Sequence, residues 1–108
     1  MIEIHQYIDR LGRCPFDRWF ERLNDGVKAR ITVSLDRLER GNFSAAKPVG
    51  EGVSELRFDF GPGYRIYFGK DGERLVILLG GGTKKRQQID IETAKALWQE
   101  FKQRRREK

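Results

Sequence analysis

The chain has 108 residues, 22 of them Lys or Arg and 16 Asp or Glu, which gives a net charge of +6 and a sequence pI near 9.8. This length, with an apolar share of 38%, excludes wholesale disorder and predicts a single domain over residues 1–108, able to build one core but not also a large enclosed cofactor cavity. The lone Cys14 excludes an internal disulfide, one Cys with one His falls short of the usual structural zinc set, and no apolar run approaches the ~18 residues of a membrane span. The N-terminus MIEIHQYIDR has neither the basic head nor the apolar stretch of a signal peptide, so a soluble cytoplasmic protein is expected. No metal or cofactor is expected, and function should sit on a surface or a shallow groove. The positive surplus favours nucleic acid or another polyanion as partner, with a solvated basic surface as the alternative.

In chain order, Ile2, Ile4 and Ile8 alternate weakly with polar neighbours, as in an edge strand. Pro15 suits a first helical turn, and Phe16, Trp19, Phe20 and Leu23 follow at the spacing of one helical face. Asn24, Asp25 and Gly26 break that helix. Val27, Ile31, Leu35 and Leu38 mark a second, which ends at Gly41. Residues Gly41 to Gly52 have no periodicity and carry several Gly and a Pro, so they read as a long loop.

From Val53 the period becomes two. Leu56, Phe58 and Phe60 alternate with Glu55, Arg57 and Asp59, and after Gly61-Pro62-Gly63 the residues Tyr64, Ile66 and Phe68 alternate with Arg65 and Tyr67. Asp71-Gly72 signals a tight hairpin into LVILL, the most apolar run and the expected central strand. Three glycines, Gly80 to Gly82, close it. Asp90 is expected to cap a last helix with Ile91, Ala94, Trp98 and Phe101 on one face, followed by the basic tail Lys102, Arg104, Arg105, Arg106 and Lys108, which suits a solvated helix end. The expected class is α+β, with an antiparallel sheet, two N-terminal helices and a C-terminal helix, the helices all on one sheet face.

Turn lengths predict the cross-strand neighbours. A Gly-Pro-Gly turn places Asp59 opposite Arg65 and Arg57 opposite Tyr67, and a two-residue Asp-Gly turn places Lys70 opposite Glu73. Leu56, Phe58, Ile66, Phe68, Leu75, Ile77 and Leu79 would then share the core face. Glu55, Arg57, Asp59, Arg65 and Tyr67 would form a polar, cationic surface floored by Val76 and Leu78. Guanidinium groups there could grip phosphates while the Tyr67 ring stacked on a base; a plain Asp59–Arg65 ion pair is the alternative. Lys84, Lys85 and Arg86 follow the glycines directly. They form either a basic contact at the sheet edge or a flexible link, and the segment is not a P-loop because Thr83 precedes the lysines.

The run KPVGEGVSELRFDFGPGYRIYF, from Lys47 to Phe68, with LVILLGGGTKKRQQIDIETAKALW, from Leu75 to Trp98, resembles the RelE/ParE superfamily of toxin-antitoxin toxins, most of all its HigB-like, phage-derived addiction-module killer branch. The resemblance spans essentially the whole chain. It implies a RelE-like fold, a cognate antitoxin partner, commonly a helix-turn-helix protein, and ribosome-dependent, metal-independent cleavage of mRNA by attack of the RNA 2′-hydroxyl on the adjacent phosphate. It also implies roles for particular residues. Arg57 and Arg65 would stabilise the phosphate, while Lys84 and Lys47 would bind RNA or assist proton transfer. Glu55 is the nearest carboxylate base candidate, and Tyr67 could stack or donate a proton. Lys85 and Arg86 would add RNA contacts, with Gln87 ordering the link. Better-known RelE relatives often use a His or Tyr near the C-terminus, and after Tyr67 this chain has neither. Two further readings are a ParE-like protein that binds gyrase without cutting RNA, and a degenerate toxin that retains only antitoxin binding.

Overall fold

A computed structural model describes residues 1–107; Lys108, the last residue of the basic tail, lies outside the described residues. In chain order the elements are β1 (Glu3–Gln6), α1 (Pro15–Phe20), α2 (Asp25–Glu39), β2 (Ala46–Gly50), β3 (Val53–Arg57), β4 (Tyr64–Asp71), β5 (Leu75–Thr83), a 3-10 turn (Lys84–Arg86) and α3 (Gln87–Arg106). One five-stranded sheet results, in the order β1, β5, β4, β3, β2. It is antiparallel except that β1 runs parallel to β5. The class is the α+β arrangement expected.

Local chemistry explains the boundaries. Pro15 occupies the first turn of α1, where its missing N–H costs nothing. Asn24 caps α2, its Oδ1 accepting the Val27 N–H at 3.0 Å. The expected loop from Gly41 to Gly52 is half strand. Ala46, Lys47 and Pro48 pair with Leu56, Glu55 and Ser54, and Pro48 is tolerated because β2 is the outermost strand. Two glycines and Glu51, all at positive φ, make the corner into β3. A single edge strand with a Pro and two small residues carries too little alternation to be read from sequence.

The β3–β4 register is shifted by two residues from expectation. Arg57 lies opposite Arg65, Glu55 opposite Tyr67 and Leu56 opposite Ile66. The connection is wider than a three-residue turn, since the Phe58 N–H donates to Tyr64 O at 3.0 Å across it. An even shift keeps every side chain on its expected face. The second hairpin differs by an odd number. Asp71 lies opposite Leu75, so Gly72, Glu73 and Arg74 form the loop and Lys70 faces Val76 rather than Glu73. This turns β5 over. Val76 and Leu78 pack with Leu56, Phe58, Ile66 and Phe68 against α1 and α2, whereas Ile77 and Leu79 pack with Val53 and Tyr67 against Ala94 and Trp98 of α3.

Helices therefore cover both sheet faces, not one. The turned strand shows why: Ile77 and Leu79 are 4% and 1% exposed and need a cover, which α3 supplies. Each face also receives a tryptophan over a glycine. A Cβ on Gly81 would stand 2.3 Å from the Trp19 ring and one on Gly69 2.3 Å from the Trp98 ring, so both indoles lie directly on backbone. Among the described residues, no helix is long and apolar enough to cross a membrane.

Candidate functional site

Opposed residues of paired strands share a face, so the ladders place side chains in rows. Lys47, Glu55, Tyr67 and Gly80 make one row across β2, β3, β4 and β5; Arg57, Arg65 and Gly82 make the next, on the α3 side of the sheet. Lys47 thus sits in a strand and not in a loop, exposed at the end of the row that holds Glu55.

Two like charges directly opposite each other repel. Here one carboxylate holds them. Arg57 Nε donates to Glu55 Oε1 at 2.8 Å, and Arg65 Nε stands 3.9 Å from Glu55 Oε2. The Glu55 side chain is 1% exposed, that of Arg65 8% and that of Arg57 44%, so a buried carboxylate and a nearly buried guanidinium support one open guanidinium. Gln87, in the first turn of α3, donates its amide to both Glu55 oxygens at 3.1 and 3.0 Å. Sequence reasoning gave Gln87 the ordering of the basic link; in the structure it ties the α3 start to the sheet through Glu55. Asp59, expected opposite Arg65, lies outside the strand pairing.

Arg65 keeps donors in reserve. Its Nη1 reaches Gly63 O at 3.3 Å, and its buried Nε has no hydrogen-bond partner. Lys84 arrives beside it from the 3-10 turn: a Cβ on Gly63, whose φ is +75°, would stand 3.1 Å from Lys84 Cβ and 3.7 Å from Arg65 Nη1. Arg57, Arg65 and Lys84 thus converge with Glu55 and Gln87. Lys85 is exposed on the same turn, and Arg86 lines a groove beside α1 instead.

Tyr67 is 1% exposed and covered by α3, so its ring is not presented for stacking on a base. Its hydroxyl has no hydrogen-bond partner. Burial pushes its pKa up to about 12, assisted by the charges of Glu55 and Asp90, while Arg65 and Arg57 act the other way. Asp90 was expected as a helix cap. The helix begins earlier, at Gln87, and the Asp90 carboxylate instead lies over Gly82, where a Cβ would collide with Oδ2. That oxygen is buried without a partner, and desolvation raises the Asp90 pKa against the pull of Arg86. Asp90 is the principal residue of this region missed in the sequence, because an Asp before an amphipathic run reads as a cap and no local pattern reveals a glycine beneath it.

The α+β scaffold thus carries a strand-borne guanidinium pair braced by a buried carboxylate, with one guanidinium open on a sheet face. Residues 18–102 match the model of the family described as phage-derived protein Gp49-like, and the chain belongs to that family. It is a RelE/toxin-like family whose members are commonly toxins of toxin-antitoxin systems, which suggests an antitoxin as partner. The chain is also similar to a protein of Haemophilus influenzae (strain ATCC 51907 / DSM 11121 / KW20 / Rd), described as uncharacterized. The two are 48% identical over 87 residues, covering 80% of this chain and 88% of the relative.

Proposed function

We propose that this protein is the toxin of a type II toxin-antitoxin system, in the HigB-like branch of its superfamily, and that it cuts mRNA on the ribosome. One observation carries the reading: Arg57 stands directly opposite Arg65, with a single carboxylate behind the pair and Lys84 beside it. A phosphate between the two guanidinium groups would relieve their repulsion and take the donors that Glu55 leaves unused.

The reaction needs charge stabilisation and two proton transfers. The 2′-oxygen bonds to phosphorus, the bond from phosphorus to the 5′-oxygen breaks, and a 2′,3′-cyclic phosphate and a 5′-hydroxyl result. The 2′-hydroxyl proton leaves to a base while the departing oxygen takes one from an acid. Arg57 and Arg65 would bear the negative charge that builds on the phosphorane. Lys84 beside Arg65 and Lys47 on the open end of the Glu55 row are the ammonium groups that can meet the reacting oxygens. Glu55 has both oxygens engaged by Arg57 and Gln87, which suits holding Arg57 in place; as a base it would first have to shed Gln87. Lys85 lies at hand for the flanking strand.

Expression without the antitoxin, with RNA 5′ ends mapped in the presence and absence of translation, tests the reading. Translation-dependent cuts and growth arrest are expected, and folded Arg57→Ala and Arg65→Ala proteins should lose at least a hundredfold of the cutting, the scale of removing one charge-stabilising group. Intact transcripts with inhibited DNA supercoiling would select the gyrase-binding alternative, and soluble protein without growth arrest the degenerate one.

A further inference from the structure

The molecule has a second basic surface, away from the Arg57–Arg65 row. A groove of about 570 Å³ runs between α1 and α3 past Gly81, bordered by Arg13, Arg18, Arg22 and Arg86 with the Trp19 indole in its wall. Arg13 has Asp9 at 4.0 Å; among the described residues Arg18, Arg22 and Arg86 make no ion pair. Strand β1 covers β5 only as far as Leu78, which leaves the glycine segment bordering this groove. Asp9 also lines the groove and Arg86 feels the Asp90 charge, but Arg18 and Arg22 make no ion pair among the described residues, and such arginines on a concave surface call for an anion.

A smaller cavity of about 90 Å³ adjoins the groove and shares Pro15, Gly81 and Thr93 with it. Tyr67 and Asp90 line this cavity, and Tyr67 Oη and Asp90 Oδ2 are two of the three buried side-chain polar atoms without partners among the described residues, the third being Arg65 Nε. A buried, unsatisfied polar atom is costly, and a carboxylate oxygen can only accept. The groove thus asks for negative charge and the cavity for a hydrogen-bond donor. An acidic peptide meets the arginines with its carboxylates, but only its backbone N–H groups could donate to Asp90. A lysine tip meets Asp90 but must pass the arginines. A nucleotide carries both features, a phosphate and, on every common RNA base except uracil, an uncharged amino group.

We propose that groove and cavity form a nucleotide seat separate from the Arg57–Arg65 row, with the phosphate on Arg18, Arg22 and Arg86 and the amino edge of the base against Tyr67 and Asp90. The cavity admits the amino edge while the rest of the nucleotide lies in the groove beside Trp19, where an aromatic ring can contact a base. The ligand is either a free nucleotide or one residue of an RNA strand.

The test uses the Arg57→Ala/Arg65→Ala protein, so that the guanidinium pair of the first row contributes nothing, and measures binding of AMP and UMP and of short oligo-dA and oligo-dU, oligonucleotides that have no 2′-hydroxyl and cannot be cleaved. Adenine probes should bind about tenfold tighter than uracil probes. Adding Asp90→Ala should abolish that preference while phosphate-driven binding remains. Adding Arg18→Ala and Arg22→Ala instead should weaken the oligonucleotides at least tenfold and lower the salt slope by about 1.4, the value for two phosphate contacts on a single strand. Binding of AMP and oligo-dA assigns a small-molecule seat, and binding of oligo-dA alone assigns a station on an RNA track; both uphold the seat. Equal binding of adenine and uracil probes, indifference to the arginine changes, stronger competition by polyglutamate than by oligo-dA, or no binding at all overturns it. Cutting by the wild-type protein is scored separately, so nucleotide binding without transcript cleavage would sink the nuclease reading and leave this one standing.

Discussion

At the scale of single residues, the site rests on groups with unequal freedom. Glu55 is enclosed, and truncating it would leave Arg65 nearly buried without its carboxylate. Glu55→Ala should therefore cost about 3–5 kcal/mol in chemical denaturation, with Glu55→Gln less damaging because it can still accept from Arg57. Tyr67 is the opposite case, a buried hydroxyl bonded to nothing. Tyr67→Phe should leave stability at neutral pH unchanged or raise it by up to about 1 kcal/mol. The sign with pH follows from its raised pKa. Below 10.0 the phenol is protonated whether the chain is folded or not; between there and about 12 only the unfolded chain releases the proton, so stability falls as pH rises through that window. Denaturation across that range should show a shallower fall in Tyr67→Phe, and an ultraviolet tyrosinate titration should lose its component at about 12. Arg57 and Arg65 could be placed on one sheet face from the sequence because alternation reports which face a strand residue takes, but their direct opposition could not, because it depends on the width of the connection. The burial of Tyr67 could not, because it depends on a helix that alternation does not mention.

Among elements, the helices α1, α2 and α3 and the strands β3, β4 and β5 were legible from period and punctuation. Strand β2 and the width of the β3–β4 connection escaped, and one further turn escaped with more effect. Whether Asp71-Gly72 closes a hairpin alone or within a longer loop changes the register by an odd number, and that change exchanges the two faces of β5. Every apolar residue of LVILL can lie inward either way, so hydrophobicity does not choose. The choice falls to packing, where the glycines after LVILL do select a face: Trp19 lies on Gly81. Gly81→Ala should displace that indole, destabilise the protein by about 1–3 kcal/mol and alter tryptophan fluorescence, whereas alanine at Gly26 in the first turn of α2, whose added Cβ meets nothing closer than 3.5 Å, should leave the Trp19 environment as it is.

Across the whole molecule, charge is divided differently from its distribution along the chain. Residues 1–54 carry 9 basic and 8 acidic side chains and residues 55–108 carry 13 and 8, which directs attention to the second half. In space, Arg18 and Arg22 from the balanced half meet Arg86 in the groove, while Arg57, Arg65 and Lys84 form the other basic centre. The two surfaces share no ion pair among the described residues, so their contributions should add. The salt slopes lost in Arg57→Ala/Arg65→Ala and in Arg18→Ala/Arg22→Ala should sum in the quadruple variant bound to single-stranded RNA, and a marked shortfall would mean that both pairs touch the same phosphates. The parallel pairing of β1 with β5 has a consequence for biosynthesis. Glu3 is made well before its partner Leu75, and Gln87, which clasps Glu55, comes later still. During translation β1 must wait for β5, and Glu55 lacks the Gln87 clasp until the start of α3 has left the exit tunnel. Chains terminated before α3 would carry both arginines but lack the Gln87 clasp, so the arginine row is finished only in molecules that include that helix.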